Sequence, residues 1–139
     1  MPKLARILLV DDDQTTNYLN QLLLKRLDVA EQLQVALNGQ EALNALQTEA
    51  PEAPDLEPTL VFLDVKMPVM DGFEFLEAYD QLPAARRSGV VIVMLTTSLH
   101  PQDLERVQQL RIGGFLNKPL TREKVDSVLL QHFHWASDN

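Results

Sequence analysis

Three consecutive carboxylates, Asp11, Asp12 and Asp13, directly follow the apolar stretch ILLV. Like charges held side by side repel each other, and burial raises the free energy of an ionised carboxylate. A bound cation relieves both effects, and Mg²⁺ is a hard cation that prefers carboxylate oxygens and keeps several of its waters. The acidic stretch therefore predicts a divalent metal site.

Three further polar residues end apolar stretches: Asp64 after LVFL, Thr96 after VVIVML, and Lys118 after GFLN. In a doubly wound sheet the carboxyl ends of the strands lie at one edge, where sites form. We therefore expect an acid, a hydroxyl and a lysine to meet the metal site. This set suits phosphoryl transfer, in which the metal and the lysine spread the charge on the phosphoryl oxygens. Asp64 is the expected nucleophile, which would form an acyl phosphate.

Alternating strand and helix patterns are expected to position these residues. Apolar runs at 7–10, 60–63 and 90–95 predict parallel strands buried on both faces, and weaker runs lie at 34–37 and 114–116. Apolar residues at helical spacing fill the intervals. The first such stripe is Tyr18, Leu19, Leu22, Leu23 and Leu27, and the fourth is Leu104, Val107, Leu110 and Ile112. The alternation predicts an α/β protein, a doubly wound five-stranded parallel sheet with five helices in three α/β/α layers.

Composition excludes several classes of function. The 139 residues suit one domain, 1–139, and the net charge of -8 argues against non-specific binding to DNA or to anionic lipid. The absence of cysteine excludes disulfides, thiolate catalysis and cysteine–zinc sites. The amino terminus has neither a signal peptide nor an apolar run long enough to span a membrane, so we expect a cytoplasmic protein.

Four motifs in order, VDDD, LDVKMPVMDG, MLTTS and GGFLNKP, resemble the receiver domain of two-component response regulators. The resemblance covers residues 6 to about 133 and is to stand-alone, chemotaxis-regulator-like members. It implies a flavodoxin-like fold with strand order 2-1-3-4-5. The chain ends just after the last helix, so we expect no output domain.

The resemblance also implies a role for each matching residue. Asp64 would be the phosphoacceptor and Lys118, before a cis Pro119, would pair with the phosphoryl oxygens. Thr96 would be the switch hydroxyl and Phe115 the rotating aromatic. The Mg²⁺ ligands implied are Asp12 directly, Asp11 largely through water, Asp64, and the backbone carbonyl of Lys66.

Three positions bear on these roles. Thr97 replaces a usual alanine beside Thr96, and Phe115 lacks the hydroxyl of the commoner tyrosine, so a switch through it would act by packing alone. Asp13, where the family varies, is interpreted as the cap of the first helix.

The implied function is signalling by phosphoryl transfer. A histidine kinase or histidine phosphotransfer protein would donate the group to Asp64, and an unknown downstream protein would respond, with no nucleic acid or membrane involved. The chain would catalyse only its own phosphorylation and dephosphorylation. One alternative is a Mg²⁺-dependent aspartyl-phosphate phosphohydrolase, which Lys66 opposes because that class has an acid two residues after the nucleophile. The other is a degenerate receiver that binds partners without phosphorylation.

Overall fold

A computed structural model describes residues 3–47, 58–65, 70–83, 89–96, 105 and 112–133. Within these residues, five strands and four helices alternate along the chain. They are β1 (Leu4–Val10), α1 (Gln14–Leu27), β2 (Ala30–Ala36), α2 (Gly39–Gln47), β3 (Thr59–Leu63), α3 (Gly72–Tyr79), β4 (Val90–Thr96), β5 (Gly114–Asn117) and α4 (Arg122–Phe133).

All neighbouring strands are parallel, and their order across the sheet is β2-β1-β3-β4-β5. This confirms the flavodoxin-like doubly wound sheet. Five helices were expected and four are described. Of the stripe predicted at Leu104, Val107, Leu110 and Ile112, all but Ile112 lies outside the described residues.

The core lies on both faces of the sheet because strand side chains alternate in direction. Leu8 of β1 and Val61 of β3 pack on one face with side chains of α2 and α3. Ile7 and Phe62 pack on the other face with side chains of α1 and α4. The two clusters give three α/β/α layers, and they explain why β1 and β3 consist of apolar residues along most of their length.

The buried face of α1 differs from the predicted stripe. Tyr18 is 60% exposed and Leu19 is 56% exposed, whereas Asn17, Asn20 and Leu24 are buried. The prediction was wrong for Tyr18, Leu19 and Leu22, which are exposed, because it assigned burial by apolar character alone, whereas Leu23 and Leu27 pack against the core. The amino-terminal half of α1 instead turns amide side chains toward the sheet.

The start of α1 is capped as interpreted from the sequence. Asp13 is the residue before the helix, and its carboxylate accepts hydrogen bonds from the Thr15 backbone N–H at 3.1 Å and the Thr16 hydroxyl at 2.7 Å. The bond from the Thr15 N–H satisfies one of the backbone donors that the first helical turn leaves unpaired, and the Thr16 hydroxyl adds a side-chain bond. Asp13 is therefore engaged in the helix cap.

A buried charge joins elements at the amino-terminal end of the sheet. Arg6 is 2% exposed, and its guanidinium donates to Thr59 Oγ1 at 3.4 Å, to Gln34 Oε1 at 3.2 Å and to the Ala45 carbonyl at 3.5 Å. These bonds connect β1 to β3, β2 and α2.

Gly72 begins α3 in close contact with the end of β3. Its N–H donates to the Val65 carbonyl at 2.8 Å, and a Cβ at this position would lie 2.6 Å from the Asp64 carbonyl oxygen and 3.0 Å from Val65 Cα. Since both neighbours are backbone atoms, no rotamer change relieves the overlap. Only glycine therefore fits at position 72, where it packs against the backbone of Asp64 and Val65.

We expect Gly72→Ala to lower the free energy of unfolding by about 1–3 kcal/mol, the usual cost of overpacking. Urea denaturation measures this loss. Gly113→Ala is the matched control, because the Cβ there would meet side-chain atoms of Val91 and His132, which can move. Equal losses in the two variants would contradict the explanation.

None of the helices within the described residues combines the length and the apolar character that a membrane span needs.

Candidate functional site

The three acids expected at the sheet edge lie together in the structure. Asp11 and Asp12 follow β1 and Asp64 follows β3, and one carboxylate oxygen from each lies within 4.8 Å of the others. The pairing of β1 with β3 places them so, and the Asp64 N–H donates to the Val10 carbonyl at 2.9 Å. Asp11 is 5% exposed and Asp64 is 9% exposed, whereas Asp12 is open to solvent.

The Lys118 side chain enters this cluster from the end of β5. Its Nζ lies 2.6 Å from Asp11 Oδ2 and 3.5 Å from Asp64 Oδ1. The peptide bond between Lys118 and Pro119 is cis, as the resemblance implies. The lysine therefore supplies a positive charge between two mostly buried carboxylates.

Burial and the neighbouring charges both shift the pKa values of Asp64 and Lys118. Burial raises the pKa of the Asp64 carboxyl and the neighbouring Asp11 raises it further, against the Lys118 charge and the Val65 N–H, which lower it. Burial lowers the pKa of Lys118, but its hydrogen bond to Asp11 and the charges of Asp64 and Asp11 together exceed that effect and raise it overall. Lys118 is therefore a cation at neutral pH.

The two oxygens of Asp64 have different surroundings. Oδ1 accepts a hydrogen bond from the Val65 N–H at 2.9 Å and faces the Lys118 ammonium. Oδ2 has no hydrogen-bond partner among the described residues. This oxygen is the one available to an electrophile or a metal ion.

Asp11 has both oxygens engaged. Oδ1 accepts from the Asp13 N–H at 2.9 Å and Oδ2 accepts from Lys118. Asp12 has greater exposure and thus room for the waters that Mg²⁺ keeps. The donor set of clustered carboxylates fits such an ion.

Asn17 is a site residue that the sequence reasoning missed. Its Nδ2 donates to the Asp11 carbonyl at 2.8 Å, and its Oδ1 is buried with no hydrogen-bond partner in the described part of the chain. A cavity of about 10 Å³, enough for one water, is lined by Leu9, Val10, Asp11, Asn17, Asn20, Phe62, Asp64 and Leu95. The spacing of Asn17, Asn20 and Leu24 on one helix face was the signal that could have revealed it.

The two predicted switch residues, Thr96 and Phe115, lie on the neighbouring strands β4 and β5. Thr96 ends β4 and pairs with Asn117 of β5, with only its backbone described. Phe115 pairs with Met94 and its side chain is 43% exposed. Lys66, the implied carbonyl ligand, and Thr97 lie outside the described residues.

Comparison with known families agrees with this arrangement. A family model described as the response regulator receiver domain matches residues 7–130. The chain belongs to the receiver-domain family. Membership supports phosphoacceptor signalling, the function of this family in two-component systems.

Similar proteins include regulators of different lengths. Response regulator Rcp1 of Synechocystis is 31% identical over 112 residues, which are 81% of this chain and 75% of that protein. The alkaline phosphatase synthesis transcriptional regulatory protein SphR of Synechococcus elongatus is 33% identical over 126 residues, 87% of this receiver-domain chain. The chain spans 46% of SphR, less than half its length.

A solved receiver structure has the same fold. The response regulator receiver protein from Dyadobacter fermentans superposes with a TM-score of 0.80 at 26% identity, over 92% of this chain and 97% of that one. The similarity extends over almost the whole of both chains.

Proposed function

We propose that residues 1–139 act as a single cytoplasmic receiver domain that accepts a phosphoryl group on Asp64. A histidine kinase or histidine phosphotransfer protein is the donor, and Mg²⁺ assists. The observation that carries the proposal is the position of the Lys118 ammonium between Asp11 and Asp64, while Asp64 Oδ2 has no hydrogen-bond partner in the part of the chain that the structure describes.

Asp64 Oδ2 is the proposed nucleophile. It attacks the phosphorus of a phosphohistidine, so that an O–P bond forms while the N–P bond breaks. The imidazole nitrogen leaves with the bonding electron pair and takes up a proton from solvent. The Val65 N–H and Lys118 hold Oδ1, which fixes the plane of the carboxylate for attack.

Lys118 supports the transfer by charge and by hydrogen bonding. Its ammonium has three donors, and Asp11 occupies one of them. A second faces Asp64 Oδ1 at 3.5 Å, and the third is available to an oxygen of the incoming phosphoryl group. Because Lys118 reaches Asp11 and Asp64 together, it is placed to stabilise the negative charge on the phosphoryl oxygens during transfer.

Asp11, Asp12, Asp64 and the Lys66 carbonyl would hold Mg²⁺ in this proposal. A bound Mg²⁺ supplies positive charge that neutralises the phosphoryl oxygens during transfer. Asp12 is suited to direct contact because it is exposed, whereas Asp11 is suited to contact through water because both its oxygens are already engaged.

The response is proposed to run through Thr96 and Phe115 to an unidentified downstream protein. Phosphorylation shifts a pre-existing equilibrium in which the Thr96 hydroxyl contacts the phosphoryl group and Phe115 changes its packing. The ladder between β4 and β5 supports this route, since it places both residues on neighbouring strands. The strongly acidic composition supports a protein partner rather than nucleic acid or membrane.

Amide hydrogen exchange with and without beryllofluoride tests this response. We expect the changes to lie in β4, β5 and α4. Changes confined to α1 and α2 would contradict the proposed route.

Mass spectrometry after treatment with acetyl phosphate tests the phosphorylation. We expect the mass of one phosphoryl group to be gained with Mg²⁺ and not in the presence of a chelator. No gain in either condition would favour the degenerate receiver, and sustained release of free phosphate from phosphomonoesters would favour the phosphohydrolase.

A further inference from the structure

Lys124 in α4 contacts the backbone on both sides of Lys118. Its Nζ donates to the Asn117 carbonyl at 2.6 Å and to the Pro119 carbonyl at 2.9 Å. These two carbonyls belong to the peptide units that precede Lys118 and follow Pro119. One ammonium therefore holds the short segment that presents Lys118.

The 117–119 segment leaves the sheet at the point where hydrogen bonding between β4 and β5 stops. β5 lies at the edge of the sheet and finishes at Asn117, which is paired with Thr96 of β4. Beyond that point the strand ladder supplies no acceptor or donor, and backbone polar groups need other partners. Lys124 provides the donors for two of these carbonyls.

The position of Lys124 in α4 is electrostatically unfavourable for a cation. It stands in the first turn of α4, where the helix dipole is positive and favours acids. Its backbone is also tied to the same loop, because the Lys124 N–H donates to the Thr121 hydroxyl at 3.3 Å. The two carbonyl hydrogen bonds offset the electrostatic cost of the position.

The location of the Lys118 ammonium depends on this loop. Lysine has a long flexible stem, and its distances of 2.6 Å to Asp11 and 3.5 Å to Asp64 persist only if its backbone is held. A displacement of about 1 Å in a reacting group can reduce a rate by roughly a hundredfold.

We infer that Lys124 is a positioning residue that holds the 117–119 backbone and so places Lys118 between Asp11 and Asp64. The expected effect on the phosphorylation rate rests on the proposed function. The expected location of the Lys118 amine does not depend on that function. Lys124 itself touches neither acid.

The first experiment measures phosphorylation of the full chain by acetyl phosphate in excess Mg²⁺. We expect Lys124→Met to be roughly tenfold slower than the native protein. Lys124→Arg should restore most of the rate, because a guanidinium has several donors for the two carbonyls. Isothermal titration should show a Mg²⁺ affinity in Lys124→Met that is at least as high as in the native protein, since the acids remain in place and Lys118 competes for them less firmly.

Arg122→Met is the matched control. It removes one positive charge from the same helical turn, and among the described residues Arg122 makes only an exposed pair with Asp126 at 3.8 Å. We expect its rate to be unchanged. A similar loss of rate in both variants would show that charge, and not the carbonyl contacts, is responsible, and would overturn the inference.

A second measurement does not require phosphorylation. The reactivity of the Lys118 amine toward acetic anhydride, read by peptide mass spectrometry without Mg²⁺, reports whether the amine is held against Asp11. We expect it to rise several-fold in Lys124→Met and to be unchanged in Arg122→Met. If the native protein takes up no phosphoryl group but this pattern holds, the proposed function fails and the inference on position stands. Unchanged Lys118 reactivity in Lys124→Met refutes the inference.

Discussion

Asp64→Asn will take up no phosphoryl group from acetyl phosphate under conditions in which the native protein is modified. The amide has no anionic oxygen with which to attack phosphorus, whereas Asp64 Oδ2 has no competing hydrogen bond in the described part of the chain. Asparagine keeps the shape of the side chain, and its carbonyl oxygen can still accept from the Val65 N–H. The expected result is loss of the mass increase with the fold retained.

Asp13→Asn is the control for this experiment. Asp13 belongs to the same acidic stretch, but its carboxylate caps α1 through Thr15 and Thr16. Asparagine also caps helices well, so phosphorylation and stability should stay near native values. Full phosphorylation of Asp64→Asn, or an equal loss in Asp13→Asn, would contradict the assignment of Asp64.

Lys118→Met will destabilise the Mg²⁺-free protein at neutral pH by about 2–3 kcal/mol. Removal of one partner of a fully buried ion pair costs about 3–5 kcal/mol, and this pair keeps some exposure, 18% at Lys118 and 7% at Asp11. The variant leaves Asp11 and Asp64 close together without their internal cation. Urea denaturation in the presence of a chelator measures the loss.

The pH dependence of this loss follows from the sign of the Asp64 shift. Lys118 lowers the pKa of the Asp64 carboxyl, which burial raises, so its removal lets the pKa rise further. A carboxyl whose pKa is higher in the folded than in the unfolded state destabilises the fold when ionised. That cost is complete above the folded pKa, begins to shrink as the pH falls through it, and is gone below the unfolded pKa. The stability difference between variant and native protein should therefore narrow on acidification.

Two further measurements make the Lys118 prediction specific. Mg²⁺ should bind Lys118→Met more tightly than the native protein, because no lysine competes for the carboxylates. Lys3→Met removes a surface pair with Asp28 at 2.9 Å, in which Asp28 is 71% exposed. Its loss should be below about 1 kcal/mol. Weaker Mg²⁺ binding in Lys118→Met, or equal losses of stability in the two variants, would contradict the explanation.

Sequence patterns predicted β3, β4 and the short edge strand β5 almost in full, but they predicted only the last part of the other edge strand, β2. β1, β3 and β4 are covered on both faces, so burial requires continuous apolar runs that are visible in the sequence. β2 is an edge strand at Ala30–Ala36, with Glu31 and Gln32 exposed. The weak prediction at 34–37 found only its last part, because an edge strand needs no continuous apolar run.

The carboxylates and Lys118 could be predicted because parallel strands end at a common edge. Asn17 could not be found by an apolar pattern, since its burial serves a hydrogen bond to the Asp11 backbone. Lys124 was also missed, because its partners are carbonyls, and every residue has one. Hydrogen bonds from a side chain to the backbone are hard to predict from residue types, because the backbone acceptor is the same at every position.

The buried guanidinium of Arg6 has a consequence for how this sequence can vary. Arg6 is the third residue of β1 and Asp11 follows its carboxyl end. The two are about 17 Å apart at the usual rise of a strand, with Ile7–Val10 between them. Substitutions around Arg6 therefore change how firmly β1, β3 and α2 are joined, while the reactive carboxylates keep their surroundings. Mutations near Arg6 can therefore change the stability of the fold without changing the acidic site. Stability and reactivity can then be altered separately, in engineering or in evolution.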